Sequence, residues 1–384
     1  MELLLKCKTL IDGVHKLPTF NKIIKIENNY ITQVEDFNDF RCSDDVFDLG
    51  ELTVMPGIVD CHDHLGLDVG DEKAQSFEQD VYIAIKGVKI AQMMLESGIT
   101  TLRDVGEKAF IDVSWRRAIN EGIITGPNVL ISGQPIVRTG GHAWFLGIEI
   151  DGAAEALKAV RLQLKNGANL IKLMVGGGMT TEHSDPLNPE MTRKEVFAIV
   201  SESHRAGKKV AAHVHGGDGA TLAIEANVDS IEHGVYLSHD QLADMARKSI
   251  FLVVTYGVLE AIIRDKNSPK FVQEKVSKGL DNYIRVISMA KELGVQVVIG
   301  GDTYHARPSE ELKALIKAGF SPMEAIKSAT INGAKLCGIE SITGSIERGK
   351  LADLIAIEGD PMRNIDSIRN VRYVFKKGKI VKRP

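Results

Sequence analysis

Residues 56–64 read Pro56-Gly57-Ile58-Val59-Asp60-Cys61-His62-Asp63-His64, a short apolar run that ends in two histidines two positions apart. Side chains at i and i+2 of an extended strand point to the same side, so both imidazoles can reach one metal ion. A lone HxH pair is a weak signal. Similar apolar runs downstream also end in histidine, lysine or aspartate, and they strengthen the prediction of a metal site.

The chain between residues 53 and 344 alternates strand-like and helix-like segments. The predicted strands are Val54–Cys61, Thr100–Val105, Val129–Ser132, Leu170–Val175, Val210–His215, Ser230–His233, Phe251–Tyr256 and Val295–Gly300. The predicted helices are Val81–Glu96, Ala153–Lys165, Lys194–His204, Asp240–Arg247, Val272–Leu293, Ser309–Ala318 and Pro322–Leu336. Eight strands that alternate with helices predict an α/β fold, a closed parallel (β/α)8 TIM-like barrel rather than an open sheet.

Both ends of the chain carry short strand patterns separated by turns. They are Leu3–Leu10, Lys22–Ile26, Tyr30–Val34, Ala352–Ile357, Val371–Phe375 and Lys379–Val381. Neither end alone is large enough to enclose a stable core. We therefore expect residues 1–52 and 345–384 to combine into one small β-sandwich domain beside a barrel of residues 53–344.

Composition excludes several classes of function. The net charge of −4 over 384 residues offers no basic surface for nucleic acid or anionic membranes. No apolar run reaches the 18 residues of a membrane span, and residues 1–6 lack the pattern of a signal peptide. Four widely spaced cysteines (Cys7, Cys42, Cys61 and Cys337) predict reduced thiols rather than a disulfide framework. We expect a cytoplasmic protein.

Lys172 lies inside the apolar strand Leu170–Val175, where a bare ammonium group is expensive to bury. The lysine could form an ion pair at the strand end, or it could form a Schiff base. A third alternative is N6-carboxylation by CO2, which gives an anionic carbamate able to bridge two metal ions. The histidines and the aspartate of the other strands favour the carbamate.

The remaining candidate ligands end later strands. His213 and His215 close the fifth strand on one face, and either could bind a metal; we favour His213 and assign His215 to the substrate or to support of the ligands. His233 ends the sixth strand, and Asp302 follows the eighth. At the carboxyl end of a parallel barrel these side chains converge on one centre.

Taken together, these motifs resemble the amidohydrolase superfamily. The resemblance rests on residues 56–64, the strand-four lysine, the histidines of strands five and six, Gly301-Asp302, and the tail motif of residues 344–354. Thr139-Gly140-Gly141-His142, Gly176-Gly177-Gly178 and His213-Val214-His215-Gly216 resemble the branch of prolidases and imidazolonepropionases most. That branch includes metal-dependent dipeptidases, carboxypeptidases and ochratoxin-type amidases.

The resemblance implies a binuclear centre of two divalent ions, with Zn²⁺ the expected metal. His62, His64 and Asp302 would hold one ion, His213 and His233 the other, and carboxylated Lys172 would bridge them. It implies hydrolysis by a metal-bridging hydroxide, with Asp302 passing the proton to the leaving amine.

The same resemblance suggests the substrate: a dipeptide or N-acyl amino acid with a free carboxylate, cleaved as by an Xaa-Pro dipeptidase or a carboxypeptidase. The long connections of residues 133–151 and 176–191 are candidate binding loops. Candidates for binding the substrate carboxylate are His142, His215, Tyr236, Arg138 and Arg307, and His142 and His215 are also candidate catalytic groups.

Several alternatives remain open at the level of sequence. The same centre could hydrolyse a cyclic amide of the imidazolone type, a lactone or a phosphoester. A mononuclear deaminase would not need Lys172, and a Schiff-base aldolase would not need the histidines. A non-enzymatic relative would be expected to lose ligands, whereas this chain keeps them. A small-molecule substrate is the predicted partner, and analogy with related barrels suggests a homo-oligomer.

Overall fold

A computed structural model describes residues 2–39 and 46–384, so Cys42 lies outside the described residues. The strands are β1 (Glu2–Leu10), β2 (Thr19–Glu27), β3 (Tyr30–Asp36), β4 (Val46–Asp48), β5 (Thr53–Pro56), β6 (Ile58–Asp63), β7 (Ile99–Asp104), β8 (Asn128–Ile131), β9 (Ile136–Arg138), β10 (Ile148–Ile150), β11 (Leu170–Met174), β12 (Lys209–Gly216), β13 (Ser230–Tyr236), β14 (Phe251–Val254), β15 (Val297–Ile299), β16 (Leu354–Ile357), β17 (Val371–Lys376) and β18 (Lys379–Lys382).

The helices lie between and after these strands. They are α1 (Glu72–Ser76), α2 (Asp80–Glu96), α3 (Ile111–Asn120), α4 (Ala153–Lys165), α5 (Arg193–Arg205), α6 (Gly217–Glu225), α7 (His239–Lys248), α8 (Tyr256–Arg264), α9 (Lys270–Glu292), α10 (Pro308–Lys317), α11 (Pro322–Ser328) and α12 (Ile331–Cys337). Short 3-10 turns occupy Phe37–Asp39, Lys108–Phe110 and Ile365–Arg369. Among the described residues, no helix combines the length and the apolar character that crossing a bilayer requires.

Both ends of the chain contribute to one eight-stranded sheet. Its order is β18-β17-β16-β5-β1-β2-β3, and β4 pairs with β1. The junction between the ends is β16 against β5, in antiparallel register from Leu354 opposite Pro56 to Ile357 opposite Thr53. Leu5, Val54 and Phe375 are buried in the core of this sheet. The two ends therefore complete one another, because each supplies strands that the other lacks.

The rest of the chain forms a mixed α/β fold whose strands pair in parallel. A seven-stranded sheet has the order β10-β9-β11-β12-β13-β14-β15, and a three-stranded sheet has the order β6-β7-β8. Each of the eight strand segments predicted between residues 53 and 344 contains a strand. The architecture is consistent with a TIM-like barrel.

The hydrogen-bonded ladder is interrupted at two joints, so it does not run continuously around a closed barrel. Between β8 and β11 the backbone N–H of Asn169 donates to Ile131 O (2.7 Å), and the Asn169 side chain accepts from the Ile131 N–H (3.0 Å). Between β15 and β6 the contact is a single bridge from Asp63 to Asp302. A side chain and a bridge thus take the place of ladder hydrogen bonds at these joints.

The first predicted strand is two strands, β5 and β6, which belong to different sheets. The chain passes from one sheet to the other at Gly57. A Cβ at this position would lie 2.1 Å from Thr100 Oγ1, so only glycine fits. The long connection of residues 133–151 likewise contains two strands that the sequence did not predict, β9 and β10.

The packing of α2 on α3 yields a stability prediction. Alanine at position 87 would place its Cβ 2.1 Å from Cζ2 of the buried Trp115 ring. An exposed glycine in a helix usually gains about 1 kcal/mol when changed to alanine, but here overpacking should dominate and cost about 1–3 kcal/mol. Chemical denaturation of Gly87→Ala should therefore show a lower free energy of unfolding. Lys89→Ala, on the exposed face of α2, is the control and should change stability little; a stabilised Gly87→Ala would refute the packing argument.

Candidate metal centre

One narrow cavity of about 60 Å³ lies at the carboxyl ends of the parallel strands. It brings together eight of the residues predicted from sequence: His62, His64, His142, Lys172, His213, His215, His233 and Asp302. Its other lining residues are Leu67, Glu72, Ala143, Leu146, Met174, Met179, Thr180, Val258, Leu259 and Ile262. Polar groups that can bind a metal or move a proton thus share one small space with apolar side chains.

The histidine rings form a contiguous cluster. Ring centroids are 4.7 Å apart for His62 and His233, 4.7 Å for His213 and His233, and 5.4 Å for His62 and His64. His215 stacks on His233 at 5.2 Å. Rings from β12 and β13 therefore meet those from the end of β6, as the register of a parallel fold predicts.

Hydrogen bonds fix how three of these rings are turned. Nδ1 of His62 contacts Glu232 Oε2 at 2.6 Å, Nδ1 of His64 contacts Gly106 O at 2.7 Å, and Nδ1 of His233 contacts Thr255 Oγ1 at 2.7 Å. In each ring the Nε2 atom is left for the cavity. A metal-binding histidine usually has its other nitrogen held in this way, which sets the tautomer and the ring orientation.

The two histidines of β12 differ in their partners. Nε2 of His213 lies 3.3 Å from Gly177 O, which leaves Nδ1 free for the cavity. Nδ1 of His215 is buried and has no hydrogen-bond partner in the described structure. Both side chains line the cavity, so the choice between them as the metal ligand stays a prediction.

Asp302 lies between two of the histidines. Its carboxylate oxygens are 3.9 Å from His64 Nε2 and 3.9 Å from His233 Nδ1. Donor atoms of His62, His64 and Asp302 lie within 4.8 Å of one another, a spacing that could hold a metal ion. His233 and Asp302 have φ values of +69° and +57°, a strained conformation for residues other than glycine that is often found at functional sites.

Burial sets the protonation of the cluster. It lowers the pKa of His62, His213 and His233 well below the usual value, and lowers that of His64 and His215 to about 3. The imidazoles are therefore neutral at physiological pH, which is the form that binds metals. Burial also raises the pKa of Asp302 to about 7, although Lys172 opposes the change.

Lys172 is only 1% exposed. The carboxylates around it are engaged elsewhere, since Glu232 pairs with Arg103 and His62, and Asp302 lies beside His64 and His233. Burial lowers the pKa of the Lys172 ammonium to about 8, with Glu232 and Asp302 opposing the shift. The neutral amine is therefore a minor form at neutral pH, but it is far more populated than in an exposed lysine.

Three predicted substrate-binding residues do not line the cavity. The Tyr236 hydroxyl lies near Gly279 of α9, and the Arg138 guanidinium donates to Thr139 O at 3.0 Å. Arg307 lines a separate groove of about 700 Å³, near Arg264, Arg369 and Lys382. The predictions rested on loop position and, for Tyr236, on closeness to His233 in the chain, and neither determines where a long side chain points.

A buried ion pair that was not predicted from the sequence holds His62 in place. Arg103 Nη2 donates to both oxygens of Glu232 at 2.8 Å, and Glu232 in turn holds His62. Both residues are buried within strands β7 and β13 of the parallel sheets. A charged residue within an apolar strand was the available signal, since a buried charge requires a partner.

Glu72 was also missed. This residue lies in α1, after β6, and its half-buried side chain lines the cavity. Burial and repulsion from Asp302 raise the pKa of Glu72 to about 8, while the Thr180 hydroxyl lowers it in part. No periodicity or motif in the sequence marks this position.

Comparisons with known proteins agree with this geometry. The model of the Amidohydrolase family matches residues 53–381. Ochratoxinase from Aspergillus niger is 32% identical over 368 residues, which cover 86% of this chain and 76% of the relative. Imidazolonepropionase from Picrophilus torridus is 24% identical over 398 residues, with 93% and 92% covered. A crystal structure of a Xaa-Pro dipeptidase with bound methionine in the active site aligns over 100% of both chains, with 33% identity and a TM-score of 0.92.

The Glu232 contact predicts a variant with impaired metal binding. Glu232→Gln should weaken the affinity for zinc by about 10- to 100-fold, because His62 loses its anionic partner. It should also destabilise the metal-free protein, since Arg103 is left buried without a counter-charge, at a cost of about 3–5 kcal/mol. Competition with a chromogenic chelator measures the first effect and denaturation the second. Glu292→Gln, on the exposed side of α9, is the control; unchanged zinc affinity in Glu232→Gln would contradict the proposed support.

Proposed function

Because this chain belongs to the amidohydrolase family and is a hydrolase, we propose that it is a binuclear metal-dependent amidohydrolase that cleaves an amide bond of a small substrate. The substrate is a dipeptide or an N-acyl amino acid with a free carboxylate. The observation that carries the proposal is the convergence of neutral histidines, Lys172 and Asp302 on one cavity. Neutral imidazoles with a carboxylate form the donor set of a catalytic zinc site.

The residues fit two metal ions. His62, His64 and Asp302 would hold one ion, and their donor atoms already lie within 4.8 Å of one another. His213 and His233 would hold the second, each with one ring nitrogen left free by its hydrogen bond. When bound, the two ions would supply Lewis acidity toward the scissile carbonyl and acidify water near neutral pH. Zn²⁺ is the metal that this donor set suits best.

Lys172 would bridge the ions as a carbamate. The neutral amine is the form that reacts with CO2, and burial moves the Lys172 pKa toward neutrality. The product is an anion, which removes the cost of burying a cationic lysine among the six histidines of the cavity. The carbamate would offer two oxygen donors to the metal ions, whereas the protonated amine has no lone pair to donate.

Asp302 would handle protons during turnover. Its pKa of about 7 suits a group that accepts a proton from water and then donates it to the departing amine. His142 and His215 would bind the substrate carboxylate, since both rings line the cavity and His215 Nδ1 has no partner in the described chain. Lys275 adds positive potential near both histidines.

The apolar walls suggest which residues the substrate carries. Met174, Met179, Leu259 and Ile262 face the cavity, and such walls accept a proline ring or an aliphatic side chain. The similarity to a Xaa-Pro dipeptidase supports the same choice. A cleavable Xaa-Pro dipeptide with an aliphatic first residue is the substrate that we propose to test first.

We also infer the domain organisation from these features. The two parallel sheets would act as one (β/α)8 barrel across residues 53–344, with both joints completed by the contacts described above. The sheet of residues 1–52 and 345–384 would form a β-sandwich beside it. A homo-oligomer in the cytoplasm remains our proposal for the assembly and location.

A hydrolysis screen tests the function. Zinc-loaded protein, expressed with bicarbonate, should release amine from Xaa-Pro dipeptides or N-acyl amino acids, and a chelator should abolish the release. Asp302→Asn should fold normally but lose about 100-fold or more in turnover, because it removes the proton-transferring group. Unchanged turnover in this variant would reject the role of Asp302. If no linear substrate is hydrolysed but imidazolone-type rings or lactones are, the proposed substrate class is wrong and a cyclic substrate takes its place.

The carbamate has its own test. Lys172→Ala should bind fewer metal ions per chain by elemental analysis and should lose activity, because the bridging anion is missing. Short carboxylates such as formate or acetate should restore part of both metal content and activity by filling the vacated space. Lys194→Ala, on the exposed start of α5, is the control. Full activity of Lys172→Ala without added carboxylate would exclude the bridge.

A further inference from the structure

We propose that Glu72 binds a cationic ammonium group of the substrate, so that the site prefers a dipeptide with a free amino group over an N-acylated amino acid. The inference rests on the proposed function, which leaves both substrate types open. It concerns recognition rather than the chemical step. Three features of the cavity carry it: the position of Glu72, the partners that it lacks, and the distribution of charge around it.

Glu72 is held in a fixed position beside the reactive groups. Its helix, α1, is pinned by reciprocal hydrogen bonds between Gln75 and the backbone of Asp68, both 2.8 Å long. Asp71 caps the helix by accepting from the Ala74 N–H at 2.9 Å. On the other side, Phe77 packs on Trp144 with ring centroids 6.1 Å apart. The carboxylate is therefore presented by a braced element, as substrate recognition requires.

The carboxylate of Glu72 has no cationic partner in the described chain. The nearby lysines are engaged elsewhere: Lys86 pairs with Asp68 at 3.2 Å, and Lys73 lies over the Trp144 ring. Its polar neighbours are the Thr180 hydroxyl and the repelling carboxylate of Asp302. A partly buried carboxyl beside a second carboxylate favours its protonated form unless a cation joins it, which accounts for the raised pKa of Glu72. A bound metal ion would neutralise the Asp302 carboxylate, but Glu72 is not among the clustered metal donors.

The cavity holds possible partners for both charges of a zwitterion. Lys275 lies near His142 and His215, which are the proposed partners of the substrate carboxylate. Glu72 lines the same cavity, and an ammonium group beside it would lower its raised pKa and make it anionic. A zwitterionic dipeptide would therefore find a partner for each of its two charges. An N-acyl amino acid would find a partner only for its carboxylate, because its acylated nitrogen carries no charge.

The ammonium group could come from two sources. It could be the α-amino group of the first residue, or the side chain of a lysine whose α-amino group is acylated. Both present the same donor to the carboxylate, and a charge-assisted hydrogen bond would form in either case. Model substrates that carry only one of these groups separate the two sources.

The experiment compares three ligands on the zinc-loaded, full-length protein: L-leucyl-L-proline, N-acetyl-L-leucyl-L-proline and N-acetyl-L-lysyl-L-proline. Binding is measured by calorimetry and hydrolysis by steady-state kinetics. Wild type should bind and cleave leucyl-proline better than its N-acetyl form. Glu72→Gln should lower kcat/KM for leucyl-proline by about 10- to 100-fold, mostly through KM, because the contact exists before the chemical step. The N-acetyl-leucyl substrate should change by about twofold or less.

Glu78→Gln is the matched control, because this exposed carboxylate follows the same helix and does not line the cavity. Recovery of binding with N-acetyl-lysyl-proline, lost again in Glu72→Gln, would assign the side-chain ammonium as the ligand. Equal binding of leucyl-proline and its N-acetyl form by wild type would overturn the inference, as would an equal loss for both in Glu72→Gln. Hydrolysis confined to N-acyl substrates would overturn it while the proposed function stands. A Glu72-dependent binding preference without any hydrolysis would support the inference and reject the proposed function instead.

Discussion

The site depends on the close approach of the chain at residues 300–302 to the chain at residues 62–64. The Asp302 N–H donates to His62 O at 2.7 Å, and the His64 N–H donates to Asp302 O at 3.4 Å. Gly300 permits this approach, since a Cβ there would lie 2.4 Å from the Cβ of His62. The contact joins the last strand of the barrel region to the first. It also sets the Asp302 carboxylate beside the HxH pair, so one backbone constraint shapes both the fold and the candidate metal centre.

Electrostatics impose the second constraint. The cavity concentrates groups that water would normally solvate, and the protein accommodates them in two ways. Burial keeps the histidines neutral, while the buried Glu232 carboxylate is compensated by Arg103. Among the described residues, Lys172 and Glu72 have no ion-pair partner in contact, although Glu232 and Asp302 offset part of the cost of burying Lys172. A buried lysine and a partly buried glutamate without ion-pair partners among the described residues make this cavity suited to binding ions and charged ligands.

The candidate metal donors and the other cavity residues come from different parts of the fold. The donors come from strand ends, where backbone register fixes them, and they define the reaction class. Glu72, Thr180 and the apolar side chains come mainly from helices and loops around the cavity, where sequence can vary without loss of the fold. Ochratoxinase and a Xaa-Pro dipeptidase are both similar to this chain although their names give different substrates, which agrees with a division in which the residues around the donors select the substrate.

The amino-acid sequence by itself determined the order of strands and helices and the convergence of His62, Lys172, His233 and Asp302. Alternating periodicity and residues at strand ends are local signals, and parallel pairing turns them into one site. It did not reveal the strand break at Gly57, the two interrupted joints, or the positions of Arg138, Arg307 and Tyr236. Only the tertiary structure decided that Glu232 supports His62, that Glu72 faces the cavity, and that Tyr236 does not line it. These outcomes depend on contacts between residues far apart in the chain, and no local pattern encodes which distant side chain will fill a given space.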